Sequence, residues 1–166
     1  QWWQMATDVP TLNGGARGVI AGGFPSSNVI QYVTIPTAGN SIDFGDLTVA
    51  RYSTSGGSNN TRGLFFMGNT GSSPHQTNTI DFVTIATTGN AQDFGDASIT
   101  RTQGAGVAAS PSRIVFFGGY TTGVGPTHST MEYVNPITRG NSSKFGDLET
   151  GANGDGNALS CSHGGL

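Results

Sequence analysis

Residues 79–96 have the sequence TIDFVTIATTGNAQDFGD, and variants of this motif occur about fifty residues before it and about fifty residues after it. The earlier copy ends in Asp43-Phe44-Gly45-Asp46, and the later copy ends in Lys144-Phe145-Gly146-Asp147. Each copy is preceded by an arginine and a short apolar run that ends in glycine, over residues 17–23, 62–68 and 113–119. The chain therefore repeats one structural unit three times.

The composition favours β-structure. Hydrophobic residues make up 34% of the chain and charged residues only 10%, against about 25% charged in typical domains. The remainder is rich in Gly, Ser, Thr and Asn, which are residues of turns. Such a chain is either disordered or rich in strands, and the regular spacing of Val, Ile and Phe favours ordered strands.

Charge and hydropathy argue against two classes of partner. The net charge is −3 and the single lysine is Lys144, so no basic patch is available for nucleic acid. No apolar stretch reaches membrane-spanning length and no signal peptide is recognisable, so no membrane partner is expected. The first residue, Gln1, suggests a processed or excised chain. Cys161 cannot form an internal disulfide; we expect it to be buried, with an intermolecular link as the alternative.

The repeat predicts an all-β fold. A unit of about fifty residues is typical of a propeller blade rather than of a helical solenoid, and no run shows the 3.6-residue period of a helix. We predict a β-propeller of four-stranded antiparallel blades, forming one partial domain over residues 1–166. Its blades are expected at residues 1–50, 51–100 and 101–150, and residues 151–166 are expected to add a surplus strand that starts a further blade.

The predicted strands follow the repeat. They cover residues 1–16, 17–23, 29–35 and 42–50, then 52–60, 62–68, 79–86 and 92–100, then 102–110, 113–119, 130–137 and 143–150. Gly39-Asn40 is predicted to form a turn, because both residues tolerate positive φ. Pro136 replaces Ile35 and Ile85 of the other copies. Since proline lacks an N–H group, the third blade is expected to fray or bend there.

Three blades predict assembly. Propellers usually close with four to eight blades, and open sheet edges are templates for pairing with another chain. The expected partner is a second copy, in one of two arrangements. Two copies could close a six-bladed ring, or a surplus strand could pass head to tail and give rings or open filaments.

Trp2-Trp3 is the sharpest local anomaly. Adjacent side chains of a strand point to opposite faces, and tryptophan is common among interface anchors. We therefore predict subunit contact, with inter-blade core and a carbohydrate-stacking surface as alternatives. The full set of expected assembly contacts is Trp2, Trp3, Ala158, Leu159, Cys161, His163 and Leu166.

The order of these features resembles a kelch-type repeat: an arginine, a β-run ending in Gly-Gly, an aromatic residue in strand three and another in strand four. Gly22-Gly23 and Gly118-Gly119 match the double glycine, whereas Met67-Gly68 departs from it. The strand-three aromatics are Tyr32, Phe82 and Tyr133. Kelch repeats usually carry tryptophan where this chain has Phe44, Phe94 and Phe145.

The amino-acid sequence of the repeat also resembles that of propeller-like repeats in virion structural proteins of tailed phages, notably those of marine cyanobacteria. This resemblance covers nearly the whole chain. It implies a phage structural or appendage protein located in the virion or outside the cell, and it implies no enzymatic activity.

Catalytic and metal-binding interpretations are weak. Asp43-Phe44-Gly45 and Asp93-Phe94-Gly95 contain the kinase Asp-Phe-Gly string, but the glycine-rich loop, strand lysine and catalytic loop are missing. We interpret them as strand-end turns in which Phe fills the space between blades and Asp bonds local donors. Calcium is the alternative, although Lys144 breaks its repetition. Residues 153–157 are similarly interpreted as a hairpin turn. No catalytic residue, metal or cofactor is predicted.

Recurring charged residues are predicted to be scaffold. Because they repeat in every blade, we expect inter-blade pairs between the arginines and the aspartates that end each copy. The predicted scaffold set comprises Arg17, Arg62, Arg113, Arg51, Arg101, Phe44, Phe94, Phe145, Asp46, Asp96 and Asp147. Residue 152 is Ala where Arg51 and Arg101 would predict arginine.

The sequence is consistent with two functions. The first is a non-enzymatic structural protein that self-assembles through shared or edge strands into a virion appendage or an extracellular tube or filament. The second is a module that binds host-surface glycan or protein through the long loops at residues 69–78 and 120–129, carrying His75, Tyr120 and His128, because insertions in repeat folds often form the binding face. A propeller hydrolase lacks an asymmetric acid/base set.

Overall fold

The computed structural model describes residues 17–102, 106–121 and 128–152 of the chain. These residues form strands and no helix, so the prediction of an all-β fold is confirmed. The strands are β1 (Arg17–Ala21), β2 (Ser27–Thr34), β3 (Ile42–Arg51), β4 (Ser55–Ser58), β5 (Arg62–Asn69), β6 (Gln76–Thr84), β7 (Gln92–Asp96), β8 (Gly106–Ala109), β9 (Ile114–Phe117), β10 (His128–Val134) and β11 (Ser143–Ala152).

The strands form three antiparallel sheets in which chain neighbours are also neighbours in space. Sheet one contains β1–β3, sheet two contains β4–β7, and sheet three contains β8–β11. Each sheet corresponds to one copy of the repeat. Residues 1–16 and 153–166, which hold the predicted first strand and most of the predicted surplus strand, lie outside the described residues.

Sheet two packs between the other two sheets. Leu64 and Phe66 of β5 belong to an apolar cluster shared with sheet three, which includes Ile114 and Phe116. Phe65 points the other way, into a cluster with Ile30 and Phe44 of sheet one. Both faces of β5 are therefore covered, which explains why its sequence is a continuous apolar run instead of an alternating one.

The repeated aromatic-glycine motif forms a β-bulge inside the fourth strand of each repeat. In sheet two, Ile80 pairs with Gly95 and Asp81 pairs with Asp93, so Phe94 has no partner across the ladder. The same offset occurs at Phe44 and Phe145. The predicted strand-end turn is therefore wrong. The motif bends a continuous strand.

Pro136 has the predicted local effect. The N–H of Ile85, at the equivalent position in sheet two, donates to Thr61 O at 2.9 Å. Proline has no N–H to make this bond. β9 accordingly begins at Ile114, whereas β5 begins one repeat position earlier, at Arg62.

Met67 explains one departure from the double glycine. The equivalent residues Gly22 and Gly118 have φ of 76° and 75°, in the left-handed region that favours glycine. Met67 adopts φ of 49° at this position, and its side chain is buried in the cluster between sheets two and three. Burial of the side chain offsets the backbone strain that a non-glycine residue meets there.

Candidate functional site

The candidate site is the junction between consecutive sheets, which is built largely from backbone groups. Between sheets one and two, the Gly89 N–H donates to Phe44 O at 2.7 Å and the Ala91 N–H donates to Asp46 O at 2.8 Å. The side-chain oxygen of Asn90 accepts the Asp46 N–H at 3.1 Å. The segment after one sheet's turn is thus fastened to the bulge of the preceding sheet.

The junction between sheets two and three repeats these bonds. The Gly140 N–H donates to Phe94 O at 2.9 Å, and the Ser142 N–H donates to Asp96 O at 2.9 Å. The Asn141 side-chain oxygen accepts the Asp96 N–H at 3.0 Å. Because backbone groups supply most of the bonds, the same geometry recurs even where side chains differ, as Ala91 and Ser142 do.

Two of the three arginines that lead the second strand of each repeat also connect sheets. Nη1 of Arg17 donates to the carbonyls of Ile85 and Ala86 at 3.0 and 2.9 Å. Nη1 of Arg62 donates to the two carbonyls at the equivalent turn of sheet three, at 2.9 and 2.8 Å. Arg17 and Arg62 therefore each link their own sheet to the next one, whereas Arg113 makes no such bond among the described residues.

The predicted acidic partners of the arginines are wrong. Asp46 and Asp96 contribute their backbone groups to the junctions. Asp147 instead forms an exposed ion pair with Lys144 at 2.8 Å, and that hydrogen bond lowers the pKa of Asp147. Carbonyls replace carboxylates as arginine acceptors because the turn of the next sheet, not its bulge, lies opposite the guanidinium.

We expect Arg62→Ala to lower the free energy of unfolding by about 1–3 kcal/mol, because it removes two charge-assisted bonds across the junction. Arg113→Ala is the matched control: like Arg62 over Phe82, Arg113 stacks over an aromatic ring of its own sheet, but no carbonyl accepts from its side chain among the described residues. Urea denaturation of dilute protein measures both. Equal losses for the two variants would contradict the junction role of Arg62.

A buried ion pair completes each junction. Arg51 of sheet one contacts Asp81 of sheet two at 2.9 Å, and Arg101 contacts Glu132 of sheet three at 2.8 Å. All four side chains are fully buried. Burial lowers the pKa of both arginines, and the attached carboxylates oppose that shift. Thr48 donates its N–H and its hydroxyl to Asp81 at 3.1 and 2.6 Å.

Sequence reasoning missed the acceptors of this junction. Asp81 and Glu132 occupy the same repeat position inside the apolar third strand, and this recurrence of an acid among apolar neighbours was the available signal. Asn90 and Asn141 each follow a glycine, in Gly-Asn pairs equivalent to Gly39-Asn40, which was predicted to form a turn. The tight turn comes earlier in the repeat, where the Thr37 N–H donates to Thr34 O at 3.1 Å, so the Gly-Asn pairs act as junction elements.

The three scaffold phenylalanines differ in exposure. Phe44 and Phe94 are 2% and 3% exposed, and each fills the space between its own sheet and the next one. Phe145, in sheet three, is 47% exposed. Phe44 and Phe94 therefore fill the space between sheets, and Phe145 lies on an outer face.

The three predicted loop residues are not alike in structure. His75 is exposed in the loop between β5 and β6. His128 begins β10 rather than lying in a loop, and its Nε2 bonds Thr121 Oγ1 at 2.7 Å. Tyr120 pairs its backbone with Thr102 in an isolated bridge. Of the three, only His75 has the exposed loop position that was predicted.

His128 predicts a pH dependence. Burial lowers its pKa below 6.5, the charge of Arg101 lowers the pKa further, and Glu132 opposes both. The unfolded state therefore binds more protons than the folded state as the pH falls. The contribution of neutral His128 to the free energy of unfolding is complete above about pH 6.5 and is lost as the pH falls through the pKa of the folded state. We expect wild type to lose more stability than His128→Gln between pH 7.5 and 5. Parallel pH profiles from urea titrations would contradict this.

Two open grooves lie near the β5–β6 loop. One, of about 790 Å³, is lined by Val49, His75 and Thr100 together with several hydroxyl side chains. The other, of about 420 Å³, has Phe24 and Tyr52 at its wall. Phe24 is 84% exposed and meets Tyr52 edge to face at 5.3 Å. An exposed ring beside hydroxyl groups is a surface on which a sugar could stack.

The described ranges hold neither a metal-binding cluster nor a membrane-spanning helix. They contain no cluster of three or more His, Cys, Asp or Glu side chains that could hold a metal ion. They also contain no helix long and apolar enough to cross a membrane. The predicted contacts Trp2, Trp3, Ala158, Leu159, Cys161, His163 and Leu166 lie outside the described residues.

Comparison with known proteins adds no family to these observations. No family model matches the sequence, and no curated protein matches it significantly. The kelch-like and phage-like character of the repeat therefore stays a prediction from its residues.

Proposed function

We propose that this chain is a non-enzymatic structural protein, made of kelch-like propeller blades, that self-assembles into a virion appendage or an extracellular tube or filament. The observation that carries the proposal is the reuse of one junction. Two successive sheet pairs are joined by the same bonds at the same repeat positions. A fold extended by one repeated contact suits construction, because further sheets can be added without a new interface.

The use of the buried charges supports a structural role. Arg51, Asp81, Arg101 and Glu132 are the fully buried ionisable side chains among the described residues. Each is paired across a junction. Catalytic sites usually depend on ionisable groups gathered in one cleft. These four side chains instead recur at equivalent positions of successive repeats. The virion or extracellular location is supported by the resemblance of the repeat sequence to propeller-like repeats in phage virion proteins.

Light scattering on the full chain, with electron microscopy of the same sample, tests the proposal. We expect mass to rise with concentration above 17.0 kDa, toward a ring of two copies or toward tubes and fibres. A mass that stays at one copy up to about millimolar concentration would contradict self-assembly, since even weak specific contacts associate in that range.

A second function is favoured by the exposed aromatic groove. Phe24 and Tyr52 stand beside the hydroxyls of Thr70 and Ser72, a combination suited to a glycan. Binding of wild type on a glycan array, lost in Phe24→Ala, would support a lectin-like module. Ile137→Ala, which removes an exposed apolar side chain elsewhere, is the control. Equal binding by wild type and Phe24→Ala would exclude this groove as the site.

A further inference from the structure

We propose that the outer face of sheet three docks on the outer face of sheet one of a second copy, and that this contact is a third junction built like the two within the chain. The inference rests on the proposed function and names its partner and its contacts. The outer face of sheet three is the side turned away from sheet two, and the outer face of sheet one is defined in the same way.

Sheet three carries the groups that a following sheet would use. Arg113 holds the repeat position of Arg17 and Arg62, which bond the next sheet's turn. Phe145 and Asp147 hold the positions whose backbone groups bond the next sheet in the first two junctions. Among the described residues, no following sheet occupies this face.

Sheet one carries the matching groups. Its turn has the carbonyls of Ile35 and Pro36 where the Arg17 acceptors lie in sheet two. After that turn come Gly39 and Asn40, at the positions of the Gly89 N–H and the Asn90 side-chain oxygen. Each donor position of sheet three thus has an acceptor position on sheet one, and the reverse also holds.

Apolar exposure marks the same two faces. Ile20 and Ile35 of sheet one are 56% and 70% exposed, whereas Phe65 and Ile85, their counterparts in sheet two, are buried. Phe145 of sheet three is exposed in the same way. Side chains that are core at an occupied junction are therefore solvent-facing at both outer faces, and docking would remove them from water.

The missing charges are complementary as well. Gln31 stands where Asp81 and Glu132 receive an arginine. Ala152 stands where Arg51 supplies one, since Ala152 pairs with His128 as Arg51 pairs with Ser27. A third junction between these faces would contain neither the arginine nor the acid of the buried ion pair. It would therefore bury no unpaired charge. An arginine-bearing face against Gln31 would instead bury an uncompensated charge. This selects sheet three over other faces.

The contact joins two different surfaces, so it is heterologous. Two copies that make it reciprocally would form a ring of six sheets, within the usual four to eight of a propeller. If the rotation per copy does not close, the same contact would extend an open filament. Both products use the one junction.

Gly146 offers a selective test. A Cβ at Gly45 or Gly95 would lie 2.4 or 2.5 Å from the carbonyl oxygen of the next sheet's glycine. A Cβ at Gly146 meets only the flexible end of Met131, at 3.5 Å. Gly146→Ala should therefore fold normally and weaken association by about a hundredfold, a loss that corresponds to nearly 3 kcal/mol. Gly56→Ala is the matched control, because it adds a methyl group to a strand glycine of sheet two, away from both docking faces, and its Cβ would lie no closer than 3.7 Å to a neighbouring atom.

Mixing two variants tests the head-to-tail direction. Gln31→Arg would bury an unpaired cation on the outer face of sheet one, while Gln31 is exposed within the chain. Neither Gly146→Ala nor Gln31→Arg should associate alone, as measured by analytical ultracentrifugation. Their mixture should form a one-to-one dimer, since each supplies the face that the other lacks. Circular dichroism confirms that both variants are folded.

The outcomes separate the two proposals. Wild type that assembles while Gly146→Ala assembles equally well overturns the third junction and leaves the structural function standing. Gln31→Arg that dimerises by itself also overturns it, because the contact would then be isologous. Wild type that never associates contradicts the proposed function itself. Loss in both single variants, with recovery in the mixture and no effect of Gly56→Ala, supports the inference.

Discussion

Gly45→Ala and Gly95→Ala are each expected to lower the free energy of unfolding by about 3–5 kcal/mol, while Gly146→Ala lowers it by less than about 1 kcal/mol. The three glycines share one repeat position, after the bulged phenylalanine. Gly45 and Gly95 both have φ of 146°, and a Cβ would lie within 2.5 Å of a backbone oxygen of the next sheet. Because the neighbouring atoms belong to backbone, no flexible side chain could move away from the added Cβ.

Gly146 differs on both counts. Its φ is not among the positive values, and its nearest added contact is a methionine side chain. Urea denaturation of the three alanine variants, in dilute solution, measures the difference directly. Equal stability losses at all three positions would show that the glycine serves the bulge itself. That result would contradict its assignment to the junction.

Asp81→Asn is the second large effect. It leaves the Arg51 guanidinium buried without its carboxylate, and breaking a buried pair in this way costs about 3–5 kcal/mol. Glu132→Gln should cost a similar amount, because Arg101 is equally buried. Thermal and urea denaturation measure both losses.

The chain supplies two controls for this prediction. Lys144→Ala removes the exposed pair with Asp147 and is expected to cost less than about 1 kcal/mol. Replacing both members, as Arg51→Met with Asp81→Leu, should recover most of the stability, because no uncompensated charge remains. A loss of under 1 kcal/mol in Asp81→Asn would mean that the pair is not a structural part of the junction.

Repeat position alone predicted a large part of the scaffold. The described strands overlap the ranges that the repeat predicted, although several are shorter, and the phenylalanines of sheets one and two lie buried between sheets. Arg17 and Arg62 do connect neighbouring sheets. These features were accessible because alternation and recurrence are local properties of a chain.

The partners across the junction were not accessible in the same way. Arg51 finds Asp81, thirty residues further along, although an aspartate at the end of its own copy is much nearer in sequence. The Gly-Asn pairs have the composition of turns, yet they bond the preceding sheet. Turn propensity describes one segment, whereas a junction depends on which segments meet.

The sequence by itself determined that the described residues form β-structure, that the repeat occurs three times, and where the described strands lie, because strand periodicity and turn residues act over a few neighbours. The tertiary structure alone decided which groups join the sheets: carbonyls rather than aspartates accept from Arg17 and Arg62, and two acids inside strands receive Arg51 and Arg101. It also distinguished Gly146 from its two equivalents. The physical reason is that hydrogen bonds and steric contacts between sheets depend on packing in space, which identical repeat positions share only when a neighbouring sheet is present.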